Sequence, residues 1–172
     1  YKMKKLYILL FLILILLCLK EKIEFFIPEN YNTNIIEKYT DNYAKLHDKI
    51  FNEPKVYQYD INKILKYPLS KKKNSIKVSI LDAGCGVGKH YKYLRKRLGK
   101  KIPIVGVDNS QAMIKQSELN NPLGDFILGT LTNENLFESK KFSHVLCMDD
   151  TLYHNRKNDM NYIISNFYHW LK

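Results

Sequence analysis

Apolar positions in this chain fall into short blocks that alternate with longer stretches of helical spacing. The blocks are Lys77–Leu81, Ile104–Val107, Phe126–Leu128 and His144–Met148. Each is bounded by turn residues, as expected of strands buried on both faces. Between them, Lys89–Leu98 and Gln111–Leu119 read as helices, and Phe167–Leu171 closes the chain as the end of another. Strand and helix in alternation predict a parallel sheet with helices packed on it.

Upstream of this α/β region, Ile35, Ile36, Tyr39, Tyr43, Leu46, Ile50 and Phe51 recur at helical spacing. A second set, Ile61, Ile64 and Leu65, predicts a short helix ending near Pro68. Further upstream, Leu6–Leu19 is a run of 14 residues without a charge, flanked by Lys2, Lys4, Lys5 and Lys20. As a helix it would span about 21 Å, short of a bilayer core about 30 Å thick. Snorkelling lysines and local thinning can close that gap. A signal peptide has the same lysine-then-apolar order, but Leu16–Lys20 offers no pair of small residues for cleavage. A run apolar on every face does not suit a surface helix of a small domain. The expectation is therefore a single-pass anchor, with a cleaved signal or a soluble element as alternatives. Three lysines before the run favour a cytoplasmic N-terminus, yet Lys20 and Lys22 follow it, so the side of the membrane is left open.

The chemistry concentrates at Asp82-Ala83-Gly84-Cys85-Gly86-Val87-Gly88. A strand runs into an acid, then a glycine turn, then a helix. Glycines allow tight backbone geometry and close approach of a ligand. The following helix offers its N–H groups and positive dipole end to that ligand. A dinucleotide fingerprint wants G-x-G-x-x-G, and here Lys89 stands where its third glycine would be. The next strand ends in Asp108-Asn109-Ser110, 24 residues beyond Gly84. An acid there can accept two hydrogen bonds from ribose hydroxyls. Ser110 is a natural N-cap for the helix after it.

Asp82-x-Gly84-x-Gly86-x-Gly88, followed by Asp108, resembles the first two motifs of class I S-adenosylmethionine-dependent methyltransferases. The resemblance spans about residues 35–172. It implies a doubly wound, Rossmann-like sheet, here of about four strands, preceded by helices and the apolar N-terminal helix. It implies S-adenosylmethionine as the cofactor. The site residues it implies are Asp82, Gly84, Cys85, Gly86, Asp108, Asn109, Thr130, Leu131, Met148 and, from an N-terminal helix over the donor pocket, Tyr43 or its neighbour Tyr39. Asp149, Asp150 and His154 follow the fourth strand, where acceptors of the family meet the methyl group, and each is a candidate base. Two places depart from the pattern. Thr130 stands where a Gly-Asp pair commonly places an acid near adenine, so the Thr130-Leu131 backbone would take that role. At the fourth strand, His144 stands where an acid is usual. The family's sheet also has seven strands. Four strands and an end at Lys172, with Tyr1 before Met3 at the start, give the expectation of a fragment. The expected segments are an anchor or signal-like helix over 1–24, a helical segment over 25–74, and an incomplete methyltransferase core over 75–172.

The net charge of +11 and pI near 9.4 invite a nucleic-acid reading. Only three arginines occur, Arg95, Arg97 and Arg156, although arginine does most base and phosphate recognition. Lys71–Lys73 reads as a solvated loop, and Lys92, Arg95, Lys96 and Lys100 read as a solvated helix face. Asp150-Thr151-Leu152-Tyr153 lacks the prolines of the nucleic-acid amino-methyltransferase signature, so a nucleic-acid partner is disfavoured. Cys18, Cys85 and Cys147 form no disulfide framework, and no Cys-x-x-Cys or His-rich spacing suggests a metal.

Methyl transfer from a sulfonium is an in-line displacement, governed mostly by alignment and desolvation. An amine or thiolate acceptor needs little help, whereas a hydroxyl needs a base. The leading expectation is a membrane-tethered methyltransferase acting on an unknown small-molecule, lipid or protein acceptor. A nicotinamide-dependent oxidoreductase also fits Asp108, though Asp82 and Lys89 fit only the methyltransferase. A non-catalytic, membrane-anchored interaction module with the same fold is the third reading.

Overall fold

The computed structural model describes residues 39–66 and 77–172. Leu6–Leu19, Ile35, Ile36, Pro68 and the expected boundaries at 24/25 and 74/75 lie outside the described residues. The order of elements is α1 (Asp41–Ile50), α2 (Pro54–Lys66), β1 (Ile80–Ala83), α3 (Lys89–Leu98), β2 (Ile104–Asp108), α4 (Gln111–Asn120), β3 (Asp125–Leu128), a 3-10 turn (Glu134–Leu136), β4 (His144–Cys147) and α5 (Lys157–Trp170). The strands form one sheet in the order β3-β2-β1-β4, and every pairing is parallel. Strand β1 therefore lies between β2 and β4, where the chain reverses its direction of winding. In such folds a crevice opens there beyond the carboxyl ends of the strands.

The sheet is covered on both faces, and the period-two alternation of strand residues assigns each side chain to one of them. Leu81 and Ala83 of β1 and Val105 and Val107 of β2 pack with Ile163 and Trp170 of α5. Ile80 and Ile104 face the other way, onto Tyr91 and Leu94 of α3 and Ile61 of α2. Asp82 shares that second face. Trp170 is fully buried and its indole N–H donates to the Glu134 carbonyl at 3.0 Å, which ties the last helix to the 3-10 turn.

Helices α3 and α4 start where the sequence predicts. The Ser110 side chain accepts from the Met113 N–H, the bond expected of an N-cap. Strand β1 begins later than predicted. The Ser79 carbonyl still accepts from the Ser143 and His144 amides at 2.9 and 3.1 Å, but its N–H donates to Ser143 Oγ at 2.8 Å, and the ladder stops there, short of Lys77.

Two other expectations change. On α1 the apolar stripe does not face the core. Ala44 is its buried residue, while Leu46, Ile50 and Phe51 are exposed. Arg95 is not part of a solvated face either. Its guanidinium donates to the Gly99 and Ile102 carbonyls at 2.9 and 2.7 Å, fastening the C-terminal end of α3. Among the described residues no helix is long and apolar enough to cross a membrane.

Candidate active site

The glycine turn between β1 and α3 is pinned to β2. The amides of Gly84 and Cys85 both donate to the Val107 carbonyl, at 2.8 and 2.9 Å, and the Gly88 amide donates to Cys85 O at 2.9 Å. The Gly86 amide donates to Asp108 Oδ2 at 3.0 Å. Gly84, Gly86 and Gly88 all have positive φ, at 74°, 51° and 77°, a region costly for residues with a Cβ. The turn thus spends four of its amides inside the protein, rather than presenting them as a cradle for an anion.

Asp108 closes the other side. Its Oδ1 accepts from the Ser110 amide at 2.9 Å, and Oδ2 is taken by Gly86. A carboxylate has about four acceptor sites, so Asp108 keeps capacity for a ribose hydroxyl. Burial pushes its carboxyl upward, while the amides of Ser110, Gly86 and Asn109 pull it back.

Between these residues and the loop after β4 lies a cleft of about 1070 Å³, counted out to its open mouth. Its walls carry Gly84–Val87 of the turn, Asp108 and Asn109 after β2, Gly129 and Leu131 after β3, and Met148–Thr151 and His154 after β4. Tyr39 and His47 line the N-terminal side, and Tyr57 and His90 lie on the wall as well. The cleft is acidic although the chain is basic. Asp108, Asp149 and Asp150 line it, whereas Lys89 is held by Asp48, through an ion pair with its carboxylate and a 2.8 Å bond to its carbonyl. Burial and the nearby Lys89 charge lower the His47 pKa, favouring its neutral ring.

The loop after β4 is held tightly. Asp149 has φ 52°, a left-handed conformation that Asp tolerates better than most residues. Thr151 Oγ1 donates to the Met148 carbonyl at 3.0 Å. His154 Nδ1 and the Tyr39 hydroxyl share a 3.1 Å bond, which joins the loop to the segment before α1.

Comparison with known proteins decides the family. A family model described as a methyltransferase domain matches residues 80–172, more than half of the chain. The chain belongs to the methyltransferase domain family. Curated proteins gave no match to this methyltransferase domain. Solved structures gave many. The plantazolicin methyltransferase BamL, in complex with a triazolic desmethylPZN analog and SAH, is 20% identical with TM-score 0.60, covering 84% of this chain and 53% of its own. CalS10, a SAM-bound amino pentose methyltransferase from Micromonospora echinaspora, is 16% identical with TM-score 0.57, covering 76% and 51%. DesVI from Streptomyces venezuelae is 22% identical with TM-score 0.55, covering 67% and 47%. At these identities the likeness is one of fold, and this methyltransferase domain spans about half the length of the solved chains it matches.

Most of the residues that the sequence singled out meet at the cleft. Gly84, Cys85, Gly86, Asp108, Asn109, Leu131, Met148, Asp149, Asp150 and His154 all line it. Asp82, Thr130 and Tyr43 do not. Asp82 is 1% exposed, lying under the cleft rather than in its wall. Burial raises its carboxyl to about 6, against the pull of His90. Thr130 is exposed and turned to Thr132, hydroxyl to hydroxyl at 2.8 Å. Tyr43 does not reach the wall; its ring makes a T-shaped contact with Tyr39, and Tyr39 and His47 take the wall positions on either side of it. His47, Tyr57 and His90 carried no local signal. They reach the cleft only because α1, α2 and α3 pack around it. Cys85 and Cys147 are free thiols. Burial pushes Cys85 well above the ordinary thiol range and Cys147 to about 11, so neither is an activated nucleophile.

Proposed function

We propose that this chain binds S-adenosylmethionine in the cleft and transfers its methyl group to an acceptor that enters beside the loop after β4. The observation that carries this reading is the pairing of the pinned glycine turn with Asp108. A dinucleotide would bring a pyrophosphate, which needs unpaired amides at the turn. Four of those amides already have partners, and the neighbouring carboxylates would repel phosphate. A donor with a ribose, a sulfonium and no phosphate suits the same surface. Asp108 takes the ribose hydroxyl edge through the acceptor capacity its carboxylate keeps. Asp149 and Asp150 place negative charge near the sulfonium end, and Leu131 and Met148 supply apolar packing.

The protein's part in the chemistry is alignment and exclusion of water. His154, fixed by Tyr39, is the group best placed to take a proton from a hydroxyl acceptor. Asp149 and Asp150 are the other candidate bases. The acceptor class is left as a small molecule, a lipid or a protein.

The membrane is the second half of the proposal. Leu6–Leu19 tethers the domain as a single-pass anchor, because fourteen apolar residues favour lipid over water at about 0.8 kcal/mol per buried methylene. Removing residues 1–24 tests it by flotation with phospholipid vesicles. The full chain is expected to float and the shortened one to stay in solution with its affinity for S-adenosylhomocysteine unchanged. A shortened chain that still floats would sink the tether.

A further inference from the structure

One cluster at the cleft contains two groups, Asp60 and His90, that donor binding does not call for. Asp60 on α2, His90 in the first turn of α3 and Asp149 after β4 come from three separate elements. One ligating atom from each lies within 4.8 Å of the others. His90 is 6% exposed, and its Nε2 has no hydrogen-bond partner among the described residues. That nitrogen faces Asp60 Oδ2 at 3.6 Å, beyond hydrogen-bond range. The Tyr57 ring packs edge-on against the imidazole, with centroids 5.0 Å apart and planes at 81°, which fixes the direction in which Nε2 points.

The spacing suits two ligands of one ion better than a direct pair. With metal–nitrogen and metal–oxygen bonds of about 2.0–2.2 Å, neighbouring ligand atoms sit roughly 3–3.5 Å apart. His90 and Asp60 are already near that separation. Asp149 is exposed, and its ligating oxygen lies within 4.8 Å of the other two atoms. The charge also balances, because two carboxylates offset a divalent cation and the nearby Lys89 is engaged by Asp48.

We propose that Asp60, His90 and Asp149 bind a first-row divalent transition-metal ion at the wall of the cleft. One imidazole with two carboxylates selects such ions over magnesium or calcium, which prefer oxygen alone. Three protein ligands also leave a coordination position for water or an acceptor atom. The site shares Asp149 with the donor cleft, and cobalt binding is read with no methyl donor present.

The test is calorimetric titration of the tag-free full chain with CoCl₂, alongside Asp60→Asn, His90→Gln and Asp149→Asn, with S-adenosylhomocysteine titrated in parallel. The wild type is expected to bind one equivalent saturably. Each variant is expected to bind at least about tenfold more weakly, the lower end of what losing even an outer-shell partner costs. Asp60 is not on the cleft wall, so Asp60→Asn should leave S-adenosylhomocysteine affinity within about twofold while it weakens cobalt. Absence of saturable cobalt binding in the wild type would overturn the site. So would wild-type cobalt affinity in Asp60→Asn and His90→Gln, both with wild-type circular dichroism. Cobalt binding with the expected variant pattern supports the site even if S-adenosylhomocysteine fails to bind, an outcome that would count against the methyltransferase reading alone.

Discussion

Gly84→Ala tests whether the glycine turn and the loop after β4 are locked together. Gly84 has φ 74°. A Cβ there would lie 2.3 Å from both Cγ2 and Oγ1 of Thr151 and 2.8 Å from its Cβ. The left-handed conformation costs an alanine about 1–2 kcal/mol. Forcing a methyl into packed atoms costs about 1–3 kcal/mol more. Thr151 cannot simply turn aside, because its hydroxyl is bonded to the Met148 carbonyl. The expected loss is about 2–5 kcal/mol, read as a lower urea midpoint at unchanged slope. Thr151→Gly removes the three atoms nearest the added methyl. In the double variant the steric part should return while the backbone part remains, giving a coupling of about 1–3 kcal/mol. A Gly84→Ala protein within about 0.5 kcal/mol of wild type, or effects that simply add, would refute this picture of the contact.

Asp82→Asn should change how stability depends on pH. The Asp82 carboxyl is raised from 3.8 to about 6 by burial, so the native state holds a proton that the unfolded chain releases. Its contribution is therefore full below about pH 4 and is lost as pH rises through about 6, a drop of about 3 kcal/mol. Urea unfolding at pH 4.5 and 7.5 should show the variant gaining on wild type by about 2 kcal/mol, since part of the loss already lies below pH 4.5, and a pH-independent difference would count against it. Asp108→Asn keeps the shape but weakens acceptance of two ribose hydroxyls. It should reduce affinity for S-adenosylhomocysteine by on the order of 1.5–3 kcal/mol, and wild-type affinity would remove Asp108 from the donor site. Trp170→Ala empties a fully buried position and should cost about 3–5 kcal/mol by urea unfolding, with little loss expected only if α5 does not cover the sheet.

The parts legible in the sequence are those written locally. The Gly84–Gly88 turn, the Ser110 cap and the short apolar strands specify their own geometry within a few residues. The strand order then follows from parallel winding. What could not be read depends on packing between distant segments. His90 sits next to Lys89 in a helix that looks merely basic, yet α2 and Tyr57 close over it and leave Nε2 facing Asp60. Tyr39 and Tyr43 are four residues apart, and only the placement of α1 decides which reaches the cleft. Thr130 follows a strand end as the resemblance implies, but its hydroxyl turns to Thr132. The start of β1 differs for a similar reason, since the Ser79 N–H goes to the Ser143 hydroxyl rather than to a strand carbonyl, and alternation carries no mark of that.

The central claim is that the cleft between β1, β2 and the loop after β4 holds a methyl donor rather than a dinucleotide. Calorimetry of the full chain against S-adenosylhomocysteine and NAD, under one buffer condition, tests it most directly. The account predicts one saturable site for S-adenosylhomocysteine, lost or weakened in Asp108→Asn, and much weaker or undetectable binding of NAD. Tighter binding of NAD, with the same dependence on Asp108, would contradict it.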